Sequence, residues 1–131
     1  MRLQDWPERL VAATEAAESK EFNDVYYCVT FAADCVHAMT GEDPLAEYRG
    51  MSMEDALKKL KGNGYKGFND YMVKRFGKPV PLSFAQRGDV VIRTEPELAT
   101  GICLGENTAF ASDVGLSILP TLEQRWCFKV R

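Results

Sequence analysis

Hydrophobic positions divide the chain into two halves with different periods. Residues 1–78 repeat at helical spacing and residues 79–131 at strand spacing. Trp6, Leu10, Ala13 and Ala17, with Val11 beside them, predict a first helix that Asp5 can cap and that tolerates Pro7 in its first turn. The stretch from Asn23 to Gly41 predicts one long helix. Cys28, Phe31, Ala32, Cys35 and Met39 form its buried stripe, and Thr30, Asp34 and His37 lie opposite. Asn23 or Asp24 can cap that helix, and Gly41 suits the position just past its end. Ser52-Met53-Glu54-Asp55 is a capping box opening a third helix, with Ala56, Leu57 and Leu60 inward. Gly67 to Phe76 makes a fourth, and Leu45 to Tyr48 a short helical turn.

The second half opens with the extended Pro79-Val80-Pro81-Leu82. Short apolar runs follow at 90–92, 99–104, 108–112, 116–119 and 125–130, separated by turns at Arg87-Gly88-Asp89, Gly105-Glu106-Asn107 and Asp113-Val114-Gly115. Trp126, Phe128 and Val130 alternate onto one face. Four or five strands joined by tight turns predict an antiparallel meander or small half-barrel. Helices first and strands afterwards predict an α+β fold. No repeat or linker interrupts 1–131, which reads as a single domain with a helical half 1–78 and a β half 79–131.

Composition narrows the classes. At 131 residues, 46% hydrophobic and 27% charged, the chain can bury one core. The expectation is no membrane span, because no apolar run approaches the ~20 residues one needs. Nor does Met1-Arg2-Leu3-Gln4-Asp5-Trp6-Pro7 contain the apolar segment of an export signal. A net charge of −3 argues against nucleic acid as a partner. Lys58, Lys59, Lys61, Lys66, Lys74, Arg75 and Lys78 face one acid, Asp70, within 58–78. A solvated helix pair is the simpler reading of that run, and an acidic partner surface the other.

Candidate chemistry centres on Cys28. A thiol nucleophile needs a helix N-terminus, a nearby cation or a histidine base. The one histidine, His37, lies nine residues further along the predicted helix and so points about 180° away. Metal is disfavoured too: Cys28 and Cys35 are ~10 Å apart along a helix axis, and neither Cys103 nor Cys127 completes a ligand knuckle. The four cysteines read as free thiols. Arg87-Gly88-Asp89 matches an adhesion tripeptide, but its neighbours make it a turn feeding a strand. No phosphate loop or dinucleotide fingerprint is present, so no cofactor is expected.

A cysteine opening a helix, then Arg87-Gly88-Asp89-Val90-Val91 entering a strand, then Gly101-Ile102-Cys103-Leu104-Gly105, resembles the NlpC-type cell-wall peptidases, papain-like cysteine hydrolases of peptidoglycan stem peptides. Phe22, the run Tyr27 to Asp34, the tail Ala38 to Pro44 and Trp126 resemble more closely an uncharacterised NlpC-like family encoded in phage and prophage tail modules. The resemblance covers almost the whole chain. It implies a papain-like fold with helices packed on a C-terminal antiparallel sheet. It implies Cys28 at the nucleophile position, Ala99 where the catalytic histidine stands, and Ala111, beside Ser112, where the third polar residue stands. Tyr27 replaces the aspartate that commonly precedes the nucleophile. The implied role is a catalytically incomplete component of a phage tail tip, made in the bacterial cytoplasm and carried in the virion. Its partners would be other tail-tip proteins. The alternative is an active cysteine hydrolase on peptidoglycan that uses another base.

Overall fold

The first α-helix of the computed structural model, α1, runs Trp6–Ala17 and buries Leu10 and Ala17; Val11 is exposed. The structure describes residues 1–95, 97–113 and 115–131. Asp5 precedes α1 without capping it, because its carboxylate instead accepts a hydrogen bond from Arg9 Nε at 2.8 Å.

The central helix is shorter than its sequence pattern predicts: α2 runs Cys28–Thr40. Asn23 does not cap it. Its side-chain oxygen accepts from the N–H groups of Val25 and Tyr26, which makes a local turn and holds the chain out of the helix for five residues more. Tyr27 is the residue before the first helical turn, and its N–H donates to Thr30 Oγ1 at 3.3 Å. That bond turns Thr30 inward, so it is buried rather than on the solvent side. His37 is exposed, as expected. Gly41 ends α2 with φ +81°, a left-handed conformation that glycine adopts without strain.

A 3-10 turn at Ala46–Tyr48 leads to α3, Met53–Gly62, whose first turn is held by Ser52 Oγ accepting from the Asp55 N–H. The fourth helix, α4, is Phe68–Phe76. Ala33, Leu45, Tyr48, Ala56 and Leu60 make a second core beneath them. Arg49 fixes this corner to α2: its guanidinium grips Asp43 at 2.9 and 3.0 Å and Asp34 at 2.6 Å. Burial opposes ionisation of Asp43, but the Arg49 fork and the Leu45 N–H outweigh it and hold the carboxyl below its ordinary range. The lysines of 58–78 behave as a solvated face. Lys58 pairs with Glu54 at 3.6 Å and Lys74 with Asp70 at 3.5 Å, both one helical turn apart.

Five antiparallel strands complete an α+β fold: β1 Val90–Arg93, β2 Ala99–Cys103, β3 Asn107–Ser112, β4 Gly115–Pro120 and β5 Trp126–Phe128. Their order is β4-β3-β2-β1-β5. The first four follow the predicted meander; β5 departs from it and returns to pair with β1, Ile92 opposite Trp126 and Val90 opposite Phe128. The turn expected at Asp113-Val114-Gly115 includes Val114, which lies outside the described residues. The sheet is covered on both faces. Val90, Ile92, Ile102, Ala109, Ala111 and Phe128 share the main core with α1 and α2. Val91, Ala99, Cys103, Phe110 and Cys127 pack with Val80, Leu82, Ala85 and Leu119.

The Arg-Gly-Asp tripeptide is part of the framework. Asp89 is fully buried and accepts from Arg2 at 3.1 Å, Lys129 at 2.6 Å, and the N–H groups of Gln86 and Val130. Gly88 has φ +95°, and a Cβ there would sit 2.8 Å from Arg2 Nη1 and 2.9 Å from Met39 Sδ. The turn therefore needs glycine for conformation and for space. Its aspartate is enclosed, and an adhesion role has nothing to present. Among the described residues, no helix is long and apolar enough to cross a membrane.

Candidate functional site

Three distant positions come together in one cavity. Cys28 is the first residue of α2, Ala99 the first of β2, and Ala111 lies near the end of β3. All three line a hollow of about 330 Å³ between the start of α2 and the open end of the β2–β3 hairpin. The β2–β3 ladder runs from Cys103 opposite Thr108 to Gly101 opposite Phe110. Ala99 and Ala111 therefore flank its last rung, where the strands separate.

Cys28 is the one cysteine that is not buried; Cys35, Cys103 and Cys127 are. Its place on the helical stripe predicts a core residue, but Phe31 and Cys35 are fully buried and Cys28 is not, because it lines the cavity. The orphan N–H groups of that first turn place the positive end of the α2 dipole beside the sulfur. Burial pushes the Cys35 thiol up to about 12 and the Cys127 thiol to about 11, so both are inert at neutral pH.

Among the described residues that line the hollow there is no histidine. Ala99 and Ala111 are nearly buried methyl groups with nothing to donate or accept. His37 lies about 13 Å further along α2 by helical rise and is not a lining residue. Among the described residues, no group of three histidine, cysteine or acidic side chains is placed to hold a metal ion.

Sequence reasoning missed the polar residues that do line the hollow. Arg93, at the end of β1, stacks its guanidinium 5.0 Å above the Phe110 ring, and its Nε is buried without a hydrogen-bond partner. Glu97 lines the same space. Phe22, Met53 and Leu98 make an apolar rim, with Leu98 69% exposed. Arg93 closes the short apolar run Val90-Val91-Ile92, and a charge there reads on sequence as the polar end of a strand. Only the fold shows that it lines the same cavity as Cys28.

A larger cleft, about 690 Å³, lies elsewhere, between the 43–48 turn and α4, walled by Tyr48, Tyr65 and Tyr71. It has no thiol, and its Asp43 is already held by Arg49. The tyrosines stack edge to face on one another as part of the second core.

A family described as Domain of unknown function (DUF6950) matches residues 1–130. No curated protein matches the chain.

Proposed function

Given that the chain belongs to the DUF6950 family, described only as a domain of unknown function, we propose that it is a catalytically incomplete NlpC-type, papain-like domain that works as a structural or assembly component of a phage tail tip. One observation carries this reading: Cys28, Ala99 and Ala111, the three positions that the resemblance assigns to a catalytic triad, line one cavity, and two of them are alanine. A thiol at the start of a helix is half of a cysteine hydrolase. Without an imidazole to take and return its proton, acyl transfer loses several powers of ten in rate. Glu97 does not substitute. The tail-tip assignment itself rests on the sequence resemblance through Tyr27 to Asp34 and Ala38 to Pro44. In the structure, Asp34 and Asp43 of those stretches are both gripped by Arg49.

Two experiments test the reading. Purified protein incubated with peptidoglycan should release no fragments. Release that Cys28→Ala abolishes would instead establish the alternative, an active hydrolase with an unrecognised base. Mass spectrometry of virions from a phage encoding the chain should detect it in the tail, and its absence there would leave no structural role in the particle.

A further inference from the structure

The two edges of the sheet are treated differently. The outer edge of β5 is closed: Val80 exchanges both backbone hydrogen bonds with Cys127, at 2.8 and 3.1 Å. The outer edge of β4 is open. Among the described residues, Leu116, Ser117, Ile118 and Leu119 make no backbone hydrogen bond other than those to β3. A bare edge is normally guarded by lysine, an inward charge, a bulge or a covering loop. The six residues Gly115-Leu116-Ser117-Ile118-Leu119-Pro120 contain no charge, and β4 pairs with β3 at every position without a bulge. Proline stands only at the last position, where its missing N–H ends the ladder.

We infer that β4 is a self-association edge, on which two copies of this chain pair their β4 strands antiparallel about a two-fold axis at Ser117 or Ile118. The chemistry of the edge is a row of alternating amide donors and acceptors, so its occupant is an extended strand. A second β4 meets the requirement directly. An uncharged strand paired with its own copy sets no like charges opposite each other. In antiparallel pairing, opposite residues share a face, so their numbers must have the same parity. A two-fold perpendicular to the sheet therefore passes through a residue and its own copy. Ser117 and Ile118 are the central pair of β4, and an axis at either pairs five of its six residues. Ile118 is 51% exposed on this strand, and Leu122, two residues past its end, is 75% exposed. An axis at Ile118 covers that residue of each copy with its counterpart, and pairing about either axis continues the sheet from five strands to ten. One short strand alone buries less than the ~1,600 Å² of a standard interface. The dimer is therefore expected to be weak, dissociating in the range of about 10–100 µM. This inference is independent of the role proposed for the Cys28 cavity.

Sedimentation equilibrium of the purified chain, with hydrogen exchange on the same samples, tests it. The mass should rise from monomer towards dimer over about 10–500 µM. Alternate amides within 116–119, those whose N–H groups do not already bond β3, should gain protection over the same range. Ile118→Lys should stay monomeric throughout with an unchanged circular dichroism spectrum. Phe84→Lys, which changes an equally exposed apolar residue away from β4, should dimerise as the parent does. A parent chain that is monomeric at the highest concentration overturns the inference. So does a dimer that survives Ile118→Lys, or one that forms with no added protection at 116–119.

Discussion

The ring of Phe110 lies so close over Gly101 that a Cβ at position 101 would sit 2.7 Å from it and 2.5 Å from the Ala109 carbonyl oxygen. The two residues face each other across the β2–β3 ladder. Arg93 stacks over the same ring, so Gly101 sets the position of a wall of the Cys28 cavity. Gly101→Ala should destabilise the fold by about 2–3 kcal/mol, since backbone and a buried ring must both move. Urea denaturation measures the loss; an unchanged midpoint would show that the hairpin opens freely to admit a methyl group.

Asp89 predicts a larger effect. Its removal leaves Arg2 and Lys129, with side chains only 15% and 20% exposed, facing an empty buried site. Asp89→Ala should cost about 3 kcal/mol or more, and Asp89→Asn, which keeps acceptor geometry for one lone pair, less than that. Thermal unfolding of the two variants side by side ranks them. Equal and small losses would mean that the carboxylate's charge contributes little.

Thiol reactivity should separate the four cysteines. In the native protein at pH 8, iodoacetamide should modify Cys28 first. Cys35 and Cys127 should react only as fast as the protein opens, because burial disfavours their thiolates. Peptide mapping after a short pulse gives the order, and early modification of Cys35 would contradict its enclosure between α2 and the sheet.

Returning a base to the cavity should be visible before any catalysis. Ala99→His places an imidazole in the hollow that Cys28 lines. The alkylation rate of Cys28 should then acquire an inflection near the imidazole's ordinary ~6.5. A rate profile identical to that of the parent would show that position 99 does not reach the sulfur, and that the alanine there is not a lost catalytic residue.

Alkali should unfold the protein earlier than net charge alone implies. Burial raises the Cys35 thiol from 9.0 to about 12 and the Tyr26 phenol from 10.0 to about 12. The folded state keeps these protons where the unfolded chain gives them up, so the unfolded state is favoured progressively as pH rises. Their contribution is intact below about pH 9 and is lost between about pH 9 and 12. Urea midpoints at pH 8, 10 and 11 should fall in that order, and Cys35→Ala should flatten the decline. A flat profile in the parent would show that neither group is held neutral by the fold.

Most of the architecture was legible in the sequence because most of it is local. Helical spacing placed the four helices, and alternation with tight turns placed the five strands. The start of α2 was not legible, because Asn23 is an equally good cap and turn former, and only the backbone at 25–26 decides which N–H groups it takes. The return of β5 to β1 was hidden for a different reason. Alternation in Trp126, Phe128 and Val130 says that a strand has a buried face but not which neighbour it joins. That choice depends on Asp89 holding Lys129 and Val130. At the site, the resemblance indicated Cys28, Ala99 and Ala111 by position. Arg93 was invisible because nothing local marks a strand-end arginine whose partner ring, Phe110, stands 17 residues further along the chain.

The Asp89 knot also has a mechanical meaning. Arg2 and Lys129 hold one carboxylate from opposite ends of the chain, 87 and 40 residues away from it. A pull applied between the two ends loads these contacts and the Val130 N–H bond before it reaches α1 or the sheet. A domain whose ends are tied to each other also transmits tension past its interior.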